Sequence, residues 1–314
     1  VEASRNFANK VWNASRFIMM NDPDNKIKTT DEQPDNLTAA DKWILSKMNH
    51  LIAEVTENME KYELGLAVAK LNDYIREEFC DGYLETVKPR LYNDEDTTKA
   101  AALYTLKTVL IESLKLLHPY MPFITEEIFC NLQDEEESIM ISDWPVYKEE
   151  FNFPVEENAI ETIKEAVRGI RNTRTSMNVA PSRKAKVYVV SSDEALRNIF
   201  ENGKVFFASL GYASEVIVQD NKDGIDSDAV SVVIPNGTIY MPFAELVDIA
   251  KEIERLENEE KRLTGELARV NGMLSNERFV SKAPAAKIQE EKDKLEKYTQ
   301  MMEQVKERLS HLRK

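Results

Sequence analysis

The last seventy residues leave this chain the least freedom. Leu246, Ile249, Ile253, Leu256, Glu260, Leu263, Leu267, Val270 and Leu274 follow at steps of three and four, a heptad seam with one polar break. Ile288, Glu291, Leu295, Tyr298, Met302, Val305, Leu309 and Leu312 repeat the pattern, and Pro284 between the two runs ends any continuous helix. Helices that each carry one narrow apolar stripe must bury it against one another. The expectation is an antiparallel coiled-coil hairpin about 40 Å long, at 1.5 Å of rise per residue.

The start of the chain is helical for a different reason. In residues 1–21, Phe7, Val11, Ala14 and Ile18 line one side of a helix. Asn6, Lys10, Asn13 and Phe17 form a second stripe on the same helix, with Arg16 beside it. Amides, cations and an aromatic ring together suit unpaired bases, which stack on rings and offer their edges to hydrogen bonds. The competing reading packs Phe17 and Trp12 against a neighbouring element and leaves the asparagines merely solvated.

Between these ends the chain reads as a helical bundle followed by a small α/β module. Residues 22–37 are polar and proline-punctuated, a loop. Thr38 or Asp41 can cap the next helix, whose stripe is Trp43, Ile44, Met48, Leu51, Ile52 and Val55. A third helix is expected from Leu64 to Val87, ended by Lys88-Pro89, with Leu71, Ile75, Phe79 and Tyr83 facing inward and Arg76 and Glu77 outward. A fourth spans 97–117, and a fifth follows Pro122. His118, a lone histidine before Pro119, has no nucleophile or carboxylate partner close in sequence and reads as packing or capping. Beyond Pro154 come a helix over 156–176, a strand over 186–190, a helix over 194–210 and a strand over 215–219. Strands over 230–234 and 238–241 then flank Pro235-Asn236-Gly237, a hairpin signal. The fold class is mainly α, divided as a helical bundle over 1–150, an α/β module over 151–244 and a coiled-coil arm over 245–314.

Charge limits the partners. The net charge of −15 excludes a generic polybasic nucleic-acid binder. Residues 245–314 carry equal numbers of basic and acidic side chains, so the acidic excess lies in the remainder. Within that remainder residues 164–186 are locally basic: Lys164, Arg168, Arg171, Arg174, Arg183, Lys184 and Lys186 face a single Glu165. Arg168, Arg171 and Arg174 stand three apart, and the expectation keeps them on one flank of the helix. Cys80 and Cys130 are too few and too far apart for a disulfide framework or a zinc site, which fits a reducing, cytoplasmic setting. No apolar run is long enough to span a bilayer, and no signal peptide is visible. The start at Val1 without a methionine points to a piece of a longer chain.

Several stretches carry a resemblance. RNFANKVWNASRF (5–17), LNDYIREEFCDGYLETVKPRL (71–91), LHPYMPFITEEIF (117–129), SIMISDWP (138–145) and NERFVSKAP (276–284) resemble the C-terminal part of bacterial-type valyl-tRNA synthetases. The third block is shared in looser form by leucyl and isoleucyl relatives, while the last is the most specific to the valyl branch. The resemblance implies that the bundle holds the anticodon arm of valine tRNA, through Asn6, Lys10, Asn13, Arg16 and Phe17, with Arg168, Arg171 and Arg174 nearby. It further implies that the coiled coil leans on the outer corner of the tRNA, where Arg262, Arg269, Arg278, Lys282 and Lys287 could meet phosphates.

The catalytic chemistry of that family is expected elsewhere. Its two activation motifs, H-I-G-H and K-M-S-K-S, do not occur; the histidines are His50, His118 and His311, and Ser46-Lys47-Met48 lies in an amphipathic pattern. There is no glycine-rich phosphate loop, no Ser-His-Asp set and no metal-ligand spacing. The expectation is therefore a tRNA-binding monomer that holds no cofactor and catalyses nothing alone. ATP and magnesium would belong to an absent catalytic domain, and neither DNA nor membrane is a partner. The rival readings are a helical protein-interaction scaffold without RNA binding, and the matching part of an isoleucyl- or leucyl-tRNA synthetase.

Overall fold

A computed structural model describes residues 2–30, 32–247, 249–276, 281 and 284–312. Contacts divide the chain into two compact units, Val1–Met241 and Pro242–Lys314.

In the first unit, α1 (Glu2–Asn21) buries Phe7, Val11, Ala14 and Ile18 against its neighbours. The start of α2 (Ala39–Glu60) uses both capping candidates at once. Thr38 is the N-cap, its hydroxyl accepting from the Asp41 N–H, while the Asp41 carboxylate accepts from the Thr38 N–H at 2.7 Å. The α2 stripe from Trp43 to Val55 is buried as its spacing requires.

The third helix departs from the expectation in two ways. It is α-helical over α3 (Leu64–Asp73), widens into a ten-residue π-helix over Tyr74–Tyr83, and returns to α-helix over α4 (Leu84–Leu91). Leu71, Ile75, Phe79 and Tyr83, strictly four apart, are all buried. A four-residue step overshoots an α-helical turn by about 40° each time, and the wider i→i+5 turn absorbs that drift. Pro89 does not end the helix. It stands in the last turn, where its missing N–H removes a single bond, and the Tyr92 N–H closes the end on the Lys88 carbonyl at 3.0 Å.

Helix α5 (Lys99–Leu117) is buried on nearly every side and forms the centre of the bundle, with α6 (Pro122–Leu132) packed on it and on α1. Helix α7 (Pro154–Ser176) joins the bundle to the α/β module, packing on α2 and on strand β3 (Val230–Ile234). Gly169 permits the close approach to the strand: a Cβ there would stand 2.7 Å from Val232 Cγ1. The sheet also contains β1 (Ala185–Val190), β2 (Ala213–Gln219) and β4 (Gly237–Met241), in the order β2-β1-β4-β3. Strands β1 and β2 are parallel, and the other pairs are antiparallel. The helix expected over 194–210 is broken at Gly203 into α8 (Glu194–Asn202) and α9 (Lys204–Leu210). Ile163 of α7 fills the space a side chain there would need, its Cδ1 lying 2.2 Å from the position of a Cβ.

The second unit is the predicted hairpin. After a short α10 (Phe243–Leu246), α11 (Ile249–Leu274) packs along α12 (Ala285–Leu312). Arg262 lies near Tyr298 and Arg269 near Glu291, the order that two antiparallel helices give. Leu256, Leu263, Val270, Met302 and Leu309 are buried, and so is Glu291. No helix among the described residues is long and apolar enough to cross a membrane.

Candidate nucleic-acid interface

The outward stripe of α1 is set by what holds the helix in place. At its C-terminal end Asn21 Nδ2 donates to the Phe17 carbonyl at 2.8 Å. The chain then turns on Asp22, whose carboxylate accepts from the Lys26 and Ile27 N–H groups at 2.9 and 3.1 Å. Lys107 on α5 reaches into this turn, donating to Asp22 at 3.0 Å, to the Ile27 carbonyl at 2.7 Å and to Asn25. Burial pushes the Asp22 carboxyl up, but the Lys107 ammonium and the two backbone N–H groups outweigh it and hold the pKa below the usual carboxylate value.

With the apolar stripe inward, Asn6, Asn13 and Arg16 are exposed, and Lys10 and Phe17 are half-buried. Lys10 is bound to Asp81 of the π-helix at 2.6 Å. Seven residues further along both helices, Phe17 meets Lys88, whose ammonium lies 5.9 Å from the ring centroid. Thus α1 runs parallel to the π-helix and α4. At the end of α4 the Tyr92 ring stands nearly perpendicular to Phe17, with centroids 6.3 Å apart. Both readings of this stripe therefore hold in part: Phe17 has aromatic and cationic neighbours, yet the amides and Arg16 remain open. Asp81, Lys88 and Tyr92 were not read from the sequence as members of this face. The available signal was an aromatic, Tyr92, stranded at the edge of the acidic loop Asn93-Asp94-Glu95-Asp96.

The basic end of α7 is divided. Arg168 and Arg171 are exposed, but Arg174 is only 3% exposed and does not share their flank. Each three-residue step falls about 60° short of a full turn, so two steps carry Arg174 round to the face of Ile163, Val167 and Ile170. There its guanidinium donates to the Ala180 carbonyl at 3.2 Å and to the Arg183 carbonyl, and lies 5.4 Å from the Tyr212 ring centroid. Burial holds it below the usual arginine range. Arg174 is a clip for the 177–184 turn, and its phosphate-binding assignment is corrected accordingly. Lys164 is also engaged inward, with Glu78, Glu161 and the Trp43 ring.

On the arm, each described candidate cation has a carboxylate one turn away. Arg262 pairs with Glu259 at 2.6 Å, Arg269 with Glu266 at 2.8 Å and Lys287 with Glu290 at 2.7 Å. Such exposed pairs are weak and can be exchanged for phosphate contacts. Arg278 and Lys282 lie outside the described residues. His118, which drew attention in sequence, bonds Thr125 Oγ1 at 2.7 Å and meets Met140 Sδ at 2.9 Å, a packing role.

Comparison with known proteins gives two matches along the chain. Residues 41–189 match the anticodon-binding domain of tRNA ligases. Residues 248–313 match the valyl-tRNA synthetase tRNA-binding arm. By class, then, this is a tRNA-ligase anticodon-binding chain. It belongs to the valine–tRNA ligase family. The valine–tRNA ligase of Clostridium perfringens is 52% identical over 312 residues, covering 99% of this chain and 35% of the relative. That of Clostridium acetobutylicum is 46% identical over 313 residues, with 100% and 35% covered. That of Geobacillus stearothermophilus is 37% identical over 314 residues, with 100% and 36% covered. The chain spans about a third of the length of these relatives.

Proposed function

We propose that this chain recognises tRNA, valine isoacceptors in particular, as the part of a valine–tRNA ligase that grips the anticodon arm and the outer corner. The observation that carries the reading is the outward stripe of α1, with Asn6, Asn13 and Arg16 open beside the Phe17–Tyr92 ring pair and the Lys88 ammonium. Exposed amides supply both donors and acceptors to base edges, and rings supply the surface on which the unstacked bases of a loop can lie. Lys10, Arg16, Arg168 and Arg171 supply the phosphate contacts on the bundle. Arg262, Arg269, Arg278, Lys282 and Lys287 supply those of the arm. The acidic remainder of the surface repels nucleic acid elsewhere, so binding is local and favours a shaped RNA over DNA. In this reading the chain acts in the cytoplasm as a monomer, and ATP-dependent aminoacylation and magnesium belong to the part of the ligases that it does not span.

The test is a salt-series titration with valine tRNA and with an isoleucine tRNA as control. Nine phosphate contacts, four on the bundle and five on the arm, predict a slope of about −6 to −8 in log K against log salt. A salt-sensitive preference for valine tRNA supports the reading. Salt-sensitive binding without preference moves discrimination to the remainder of the ligase. Absence of binding at low salt sinks the reading and makes a protein-interaction scaffold the one to pursue.

A further inference from the structure

Phe17, the ring singled out in the sequence, is not the one with a free face. It is half-buried, stands perpendicular to Tyr92 at an interplanar angle of 82°, and has the Lys88 ammonium over its ring. Tyr92 is 69% exposed. A single exposed aromatic is ordinary on a protein surface. Tyr92 differs in being held: its N–H is bonded to the Lys88 carbonyl at the last turn of α4, and Phe17 braces its ring. A ring fixed in this way loses little freedom on stacking, so the contact keeps most of its free energy.

The neighbouring groups complete the pattern. Lys88 is near enough to serve a phosphate on either side of a stacked base, once it exchanges its pairing with Glu85 at 2.5 Å. One turn back along the same stripe Asn13 is exposed, and Arg16 stands beside Phe17. An aromatic face, a flanking cation and exposed amides in one line are what a single-stranded loop requires.

We propose that Tyr92 is the base-stacking platform of this face, with Phe17 as its buttress and Lys88 as its phosphate partner, and that it takes one unpaired base of a tRNA loop. This rests on the tRNA-binding reading above and deepens it, moving the stacking surface from α1 to the end of α4.

The experiment uses the anticodon stem-loop of valine tRNA carrying 2-aminopurine at each loop position in turn, with intact valine tRNA titrated in parallel at low salt. The wild-type chain quenches the probe at one position. Tyr92→Ala abolishes that quenching and weakens binding about tenfold, and Tyr92→Phe preserves both. Lys88→Met keeps the quenching but lowers the salt slope by about one. Circular dichroism checks that the variants stay folded. If Tyr92→Ala binds and quenches like wild type while intact tRNA is bound, this proposal alone is overturned. If the wild-type chain does not bind intact valine tRNA, the tRNA-binding reading falls and takes this proposal with it.

Discussion

Arg90 holds Asp41 with both terminal nitrogens, Nη1 to Oδ1 at 2.8 Å and Nη2 to Oδ2 at 3.0 Å. The Asp41 side chain is fully buried, and it also accepts from the Tyr83 hydroxyl and caps α2 through Thr38. One carboxylate thus joins the start of α2, the end of the π-helix and α4. Removing one partner of a buried pair leaves the other uncompensated. Asp41→Asn is expected to cost about 3 kcal/mol or more in urea denaturation. Arg90→Lys should also destabilise, because an ammonium cannot reproduce the two-nitrogen grip.

Asp22 gives the fold a pH dependence whose sign follows from its lowered pKa. A depressed carboxyl contributes stability above its unfolded pKa of about 3.9, and that contribution disappears as pH falls through the lower folded value. Unfolding curves between pH 7 and pH 2 should show the chain weakening below about pH 4, and Asp22→Asn should flatten part of that fall. Lys107→Met, which strands the carboxylate at neutral pH, is expected to cost about 3–5 kcal/mol.

Arg171 and Arg174 should separate binding from stability. Arg171→Ala is expected to leave the melting temperature within about 1 °C while weakening tRNA binding and its salt slope. Arg174→Ala frees the Ala180 and Arg183 carbonyls and should cost about 2 kcal/mol of stability, read by thermal denaturation.

Glu291 lies in the coiled-coil seam at 2% exposure, with Oε1 on Lys294 at 2.9 Å and Oε2 without a hydrogen-bond partner. An unsatisfied buried oxygen is a net cost. Glu291→Leu should therefore stabilise the hairpin by about 1–2 kcal/mol, seen as slower amide exchange along α11 and α12. Faster exchange would mean that the carboxylate fixes the register of the two helices.

The two cysteines should react in sequence. Cys80 is buried, and burial pushes its thiol up to about 12, whereas Cys130 is exposed. A thiol reagent at pH 8 should modify one cysteine quickly in the native chain and the second only on unfolding.

Much of this architecture was legible in the sequence because apolar spacing reports burial directly. Phe7 to Ile18, the stripe from Trp43 to Val55, and Leu256, Leu263 and Val270 of the seam are buried where their periods place them. What remained hidden depends on angle and on distant partners. The three-residue spacing of Arg168, Arg171 and Arg174 looks like one flank until its drift is summed, and the third arginine then points inward. Asp41 reads as a cap, and nothing local announces that Arg90, far along the chain, needs the same carboxylate. Tyr92 sits in a polar loop, and only the parallel course of α1 and α4 brings Phe17 against it. Position 203 takes a glycine because Ile163 of another helix occupies the space that a side chain would need.

The π-helix over Tyr74–Tyr83 also sets a phase. Along a helix, loss of one residue rotates everything beyond it by about 100°. Deleting a residue between Tyr74 and Tyr83 while the wide turns persist would swing Arg90 off Asp41 and turn Lys88 and Tyr92 away from Phe17. The same deletion in residues 220–229, a connection between two strands, changes no angle downstream of a helix. Length is thus as strict as identity in this one stretch. The core of the bundle and the ring pair on its surface share a single angular setting, and a shift in that setting removes both together.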